Sequence, residues 1–342
     1  MSQTAVLTPR ERIARLFSRQ PVDRMPFFSG QGMVTLPVIQ SLGLKFSQIH
    51  LSAEAMAEAA RATAERYGFD AALVPYDMCT VPEAMGLGAS FYEDTGGVLY
   101  PTISTKWGSP EEVIVPGDVM ERGRLPIVSR AISLLRQGLG PEHAVGTWLL
   151  GPYTLAGQVV ELDVLLKLTM KDRARVEGLL DRLTGLIIHI GRAYQQQGVD
   201  YISLREMGAG SDIISPRVFR DMVQPRLKRI LDSWRPPRVL HICGATDPII
   251  GYMNECGAEA LSMDHKNDLA ESQRKVGDSA LLFGNLDAYR LLGQATLEEV
   301  RGKVLESARA GADAVWPGCD IWPELKEENL FALAEAVKGL HV

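Results

Sequence analysis

The sequence predicts an α/β fold, a (β/α)8 TIM barrel forming a single domain over 1–342. Three observations carry this. Eight short apolar or β-branched runs read as buried strands, at about 26–29, 70–75, 143–149, 199–204, 237–242, 258–263, 279–284 and 313–318. Most intervals between them are long enough for the helix that a parallel connection requires. Polar residues gather at the strand ends, where barrels keep their chemistry, while the strand bodies stay apolar. A doubly wound open sheet is the main alternative, but no Gly-rich dinucleotide fingerprint follows the first strand.

The elements follow in order. A helix at about 9–20 forms an N-terminal extension: Thr8 can cap it, Pro9 suits its first position, and Glu11 completes a capping box. Amphipathic helices are expected near 53–67, 127–138, 171–197, 216–233, 246–256, 268–276, 296–310 and 326–339. The phrases Gly257-Ala258-Glu259-Ala260 and Gly311-Ala312-Asp313-Ala314 repeat one helix-Gly-strand grammar. Residues 78–126 are the least regular stretch and read as a long loop insertion, or lid, after the second strand.

Composition narrows the function. At 46% apolar and 23% charged, the 342 residues suit a folded chain with a large core. Lys plus Arg is 36 against 42 Asp plus Glu, a net charge of −6 with no basic cluster, which argues against nucleic acid. No run of 18 apolar residues spans a membrane, and Met1-Ser2-Gln3-Thr4 does not open a signal peptide, so the expected location is cytoplasmic. Four cysteines make no disulfide framework. Cys79 and Cys256 read as structural.

The sharpest pattern is His241-Ile242-Cys243 at the fifth strand end, with Cys319 at the eighth. Residues i and i+2 of a strand share a face, so His241 and Cys243 point the same way. If Cys319 faces them, one imidazole and two thiolates converge. That set suits Zn²⁺ and leaves a fourth position open for substrate. Asp264 or His265 could occupy that position. The other reading is a buried histidine and two inert cysteines. Asp77, Glu206 and Asp212 are further strand-end carboxylates, and Asp212 could instead cap the helix starting near Ser215-Pro216. Tyr76, Tyr153, Trp316 and Trp322 either line an aromatic slot or pack in the core.

These residues carry a resemblance. The phrases Gly151-Pro152-Tyr153-Thr154-Leu155-Ala156, Gly210-Ser211-Asp212-Ile213-Ile214-Ser215-Pro216, Leu240-His241-Ile242-Cys243-Gly244, Gly284-Asn285-Leu286-Asp287 and Pro317-Gly318-Cys319 stand in one order and spacing over roughly 8–340. In them the chain resembles the uroporphyrinogen decarboxylase superfamily. It is most similar to the zinc-dependent, corrinoid-linked methyltransferases, both the methylcobamide:coenzyme M enzymes and the methyltransferase components of O-demethylases. The resemblance implies that His241, Cys243 and Cys319 bind zinc. It also implies that a separate corrinoid protein carries the cobalamin, and that a small molecule gives or takes the methyl group. A homodimer is compatible with this.

Two departures from the family matter. Where decarboxylases carry an Arg-rich N-terminal motif, Pro26-Phe27-Phe28-Ser29-Gly30-Gln31-Gly32 has no arginine to grip carboxylates. After the last cysteine, Asp320-Ile321-Trp322-Pro323-Glu324 replaces a basic phrase, which argues against a small anionic thiol. The favoured expectation is therefore O-demethylation of a methoxylated aromatic, with the four aromatic residues as its slot and Glu206 or Asp77 protonating the departing oxygen. Alternatives are methylcobamide:thiol transfer, uroporphyrinogen-type decarboxylation, and a non-catalytic partner of a corrinoid protein.

Overall fold

The protein is described by a computed structural model over residues 6–340. The first helix, Pro9–Phe17, starts as expected: the Glu11 amide donates to Thr8 Oγ1 at 3.2 Å, and the Thr8 amide donates to Glu11 Oε2 at 2.9 Å. Its apolar side buries Ile13 and Leu16. The helix Ala53–Tyr67 is capped by Ser52 and stopped by Gly68, whose φ of +66° lies in the left-handed region that glycine enters freely.

Strands β1 (Ala71–Val74), β4 (Ala144–Leu150), β5 (Tyr201–Arg205), β6 (Arg238–Ile242), β7 (Ala260–Met263) and β8 (Leu281–Phe283) form one parallel sheet in that order. Helices between the strands cover the outside, so most strand residues are buried. The register sets Arg205 opposite His241, and His241 opposite Ser262. One face of the sheet thus delivers three polar side chains side by side.

Two of the eight expected strands are not ladder strands. Residues 26–29 and 313–318 are extended segments lying between the two sheet edges. The Asp70 amide donates to the Phe27 carbonyl at 2.7 Å on the β1 side. Isolated parallel bridges pair Phe283 with Ala314 and Leu286 with Pro317 on the β8 side. The segments also meet each other: the Phe28 and Trp316 rings lie 5.0 Å apart, and the Ile321 amide donates to the Gly32 carbonyl at 2.9 Å. Pro26 and Pro317 have no N–H, so neither segment can run an unbroken ladder.

The insertion at 78–126 holds a short helix, Thr80–Ala84, and a two-residue hairpin of β2 (Ala89–Ser90) and β3 (Thr102–Ile103). Two helices not expected from the sequence, Pro152–Val159 and Leu162–Lys171, stand before the long helix Arg173–Gln196. Among the described residues no helix is long and apolar enough to cross a membrane.

Candidate metal and substrate site at the strand ends

His241, one residue before the end of β6, is fully buried, while Cys243, one residue past the strand, is partly exposed. His241 Nδ1 is hydrogen-bonded to Ser262 Oγ at 3.0 Å, and Nε2 stands 3.0 Å from Cys243 Sγ. Cys319, 76 residues further on, brings its Sγ to 3.7 Å from Cys243 Sγ. The structure thus joins the three residues singled out in the sequence. Among the described residues no group of three or more His, Cys, Asp or Glu side chains is placed to hold a metal ion, and here a hydrogen bond links the imidazole to Cys243. Burial and the nearby Arg205 charge hold the imidazole down to about 3, so it is neutral. The Cys243–Cys319 hydrogen bond and burial push the Cys243 thiol up, and the same hydrogen bond pulls Cys319 down.

Gly244 makes the turn after Cys243 possible. Its φ is +81°, and a Cβ there would fall 2.5 Å from Asp212 Oδ1. Asp212 covers this turn and pairs with Lys266 at 3.3 Å. It is not the helix cap, since Ser215 accepts from the Val218 amide instead. The Asp264 carboxylate accepts from the Gly244 and Lys266 amides, both at 3.0 Å. His265 is half-exposed and lies 3.0 Å from Asp264 and 3.8 Å from Asp287.

Both expected proton donors are engaged elsewhere. Asp77 Oδ2 takes His50 Nδ1 and Arg124 Nη1, each at 2.7 Å, and Oδ1 takes the Cys79 amide and Arg124 Nη2. Burial opposes its ionisation, but the His50 and Arg124 hydrogen bonds outweigh it and hold the carboxyl well below the usual range. Glu206, fully buried, accepts the Tyr153 amide at 2.9 Å, the Thr154 amide at 2.6 Å and the Thr154 hydroxyl. It caps the helix Pro152–Val159, satisfying N–H groups that a helix start leaves open. Burial pushes its carboxyl up to about 7.

The aromatic slot does not form from the expected residues. Trp316 is sealed in the barrel core between Phe28 and Phe283, whose ring lies 4.6 Å away. The Tyr76 hydroxyl donates to the Met56 carbonyl at 2.8 Å, and Tyr153 OH meets Thr169 Oγ1 at 3.0 Å, so both rings face helices. Inward strand positions and the helix-facing wall are both apolar, and spacing alone does not separate them. Trp322 does stand at the rim, 6.1 Å from Tyr100 of the insertion.

Sequence reasoning missed Arg205 and Tyr100. Arg205 is 1% exposed, lies 4.3 Å over the Trp148 ring, and donates from Nη2 to Asp320 Oδ2 at 2.8 Å. Asp320 keeps it cationic against the cost of burial. A lone arginine closing an apolar strand was the available signal, because a buried charge demands a partner. Tyr100 came from a stretch with no periodicity. Its phenol is pushed up by burial and by the Asp320 charge.

A family model described as uroporphyrinogen decarboxylase matches residues 8–340. A methylcobamide:CoM methyltransferase MtaA from Methanosarcina barkeri is 30% identical, covering 96% of this chain and 97% of the relative. A methylcobamide:CoM methyltransferase MtbA from Methanosarcina acetivorans is 27% identical, covering 97% and 98%. The solved structure of a methyltransferase from Methanosarcina mazei superposes with a TM-score of 0.91 at 29% identity, covering 96% and 98%.

Proposed function

Because the chain belongs to the uroporphyrinogen decarboxylase family, we propose that it is a corrinoid-dependent methyltransferase. In this reading it moves a methyl group between a small thiol and the cobalt of a corrinoid carried by a separate protein, with zinc held by His241, Cys243 and Cys319. Full-length similarity to methylcobamide:CoM methyltransferases supports the reaction type. One observation carries the site: two thiols from distant stretches stand 3.7 Å apart beside an imidazole nitrogen. Two thiolates on a tetrahedral zinc, at about 2.3 Å each, stand about 3.8 Å apart. The imidazole nitrogen, at 3.0 Å from Cys243 Sγ, needs to open by about half an ångström to fit the same ion.

Zinc bound there acts as a Lewis acid that keeps a substrate thiol deprotonated near neutral pH. The protein's own groups prepare the place. Ser262 engages Nδ1 of His241 and leaves Nε2 as the donor atom. Burial keeps that imidazole neutral and free to donate. Arg205 favours the thiolate form of Cys243, while at Cys319 the neighbouring Asp320 carboxylate opposes the same effect.

The methoxylated-aromatic donor loses its support, since Tyr76, Tyr153 and Trp316 line no slot. Decarboxylation of a polycarboxylate lacks a cationic clamp, because 26–32 holds no arginine and Arg205 is already paired. Metal analysis together with a methylcobalamin assay using 2-mercaptoethanol tests the proposal. The expected result is about one zinc per chain, lost with the methyl transfer in a folded Cys319→Ser variant. Full transfer by zinc-free protein, or zinc retained undiminished in Cys319→Ser, would overturn it.

A further inference from the structure

Cys243 and Cys319 differ from the other two cysteines in exposure and in partner. Both are partly exposed, whereas Cys79 and Cys256 are buried. Cys79 Sγ donates to the Pro101 carbonyl at 3.1 Å, and Cys256 Sγ donates to the Tyr252 carbonyl at 3.3 Å. The exposed pair instead face each other, Sγ to Sγ at 3.7 Å. Reacting atoms in a productive encounter stand about 3–3.5 Å apart, so these two sulfurs are nearly in place.

A disulfide, at about 2.05 Å between sulfurs, needs them to close by about 1.7 Å. The backbone leaves room for that. Cys243 lies one residue past β6, and Cys319 lies two residues past the isolated bridge between Leu286 and Pro317. Among the described residues neither cysteine's N–H or carbonyl joins a backbone–backbone hydrogen bond. Turning Cys243 costs its 3.0 Å side-chain contact with His241 Nε2 and breaks no ladder. With the remaining cysteines buried and bonded elsewhere, one pairing is available.

We infer that Cys243 and Cys319 form a reversible oxidation site, which hydrogen peroxide converts into an intramolecular disulfide. One sulfur attacks a peroxide oxygen, the O–O bond breaks, and a sulfenic acid and a water form. The second sulfur then attacks the first, and its proton leaves with the displaced hydroxyl as a second water. Two thiols and one peroxide thus give one disulfide and two waters, the sulfurs losing the two electrons that the peroxide gains. A thiol at contact distance captures the sulfenic acid before it can oxidise further. The consequence for the metal rests on the zinc reading above: both thiolate ligands vanish together, and His241 alone does not hold the ion. Oxidation therefore shuts the site until a thiol reductant reopens it.

Chelator-treated, zinc-free protein is reacted with an equimolar amount of hydrogen peroxide, and the remaining thiols are alkylated before intact-mass and peptide analysis. The expected result is loss of two of the four alkylatable thiols, a mass lower by about 2 Da before alkylation, and one cross-link joining Cys243 to Cys319. Zinc uptake, read with a chromogenic chelator, should be lost in the oxidised protein and return with dithiothreitol. A folded Cys319→Ser variant should form no internal disulfide and pass on to sulfinic acid at Cys243. Four thiols still alkylatable in the treated wild type, a cross-link through Cys79 or Cys256, or a product that dithiothreitol does not reverse would overturn the inference. Undiminished zinc uptake by the cross-linked protein would overturn the shut-off. A disulfide formed in a protein that takes up no zinc even when reduced would sink the zinc reading and leave the oxidation site standing.

Discussion

Replacing Asp77 with Asn separates a structural from a chemical role for a strand-end carboxylate. Four donors converge on Asp77: His50 Nδ1 and Arg124 Nη1 at 2.7 Å, the Cys79 amide at 2.8 Å and Arg124 Nη2 at 3.0 Å. Both partner side chains are buried, and Arg124 also binds Glu83 at 2.6 Å. The carboxylate thus ties the helix Thr80–Ala84 and the start of the helix Leu125–Gly138 to the end of β1. Asn keeps the shape but removes the charge and turns an N–H₂ toward donors. Breaking a buried pair in this way costs about 3–5 kcal/mol. With a urea slope of about 3 kcal/mol/M, the unfolding midpoint falls by about 1–1.7 M. The Asp77 carboxyl is held below its unfolded value, so its stabilisation is complete above about pH 4 and lost as pH falls below that. The variant should therefore show a flatter acid limb than wild type. Methyl transfer per folded molecule should change little. An unmoved midpoint together with a hundredfold slower transfer would refute the reasoning and return Asp77 to the chemistry.

Three further outcomes are expected. Ser262→Ala removes the partner of His241 Nδ1 and should weaken zinc binding about 10–100-fold, read by competition with a chromogenic chelator. Glu206→Gln should retain transfer within about tenfold of wild type, less than the 10²-fold or more expected when a proton donor is lost, because its oxygens serve the helix start. Burial raises the Glu206 carboxyl to about 7, so its stabilisation is full below about pH 4.5 and lost as pH rises through 7. Glu206→Gln should remove that slope from denaturation midpoints measured across the range. Gly244→Ala forces a Cβ into Asp212 at a positive φ, which costs about 1–3 kcal/mol and displaces Cys243; zinc content should fall while the far-UV spectrum stays native.

Much of the fold was legible in the chain. The helix Ala53–Tyr67 was bounded by a serine cap and a glycine stop, both local signals. The six ladder strands were bounded by apolar runs that must be covered on both faces. The segments at 26–29 and 313–318 were read as strands because burial leaves the same apolar pattern as pairing does. Only the neighbouring edges decide whether hydrogen bonds run unbroken, and Pro26 and Pro317 interrupt them.

For the site, the two-residue spacing of His241 and Cys243 fixed that they share a face, since strand periodicity is a property of the backbone alone. That Cys319 meets them at 3.7 Å depends on packing across 76 residues, and no local signal carries it. The roles of the carboxylates were also tertiary: whether Glu206 points to an open mouth or to a helix start depends on where Gly151-Pro152 begins the next helix. Arg205 and Asp320 each stood plainly in the sequence, but their pairing, and so the neutral charge beside the thiols, exists only once β5 and the last loop are brought together. Residue chemistry and backbone period are written in the chain; electrostatic partnership depends on distance in space, which folding alone determines.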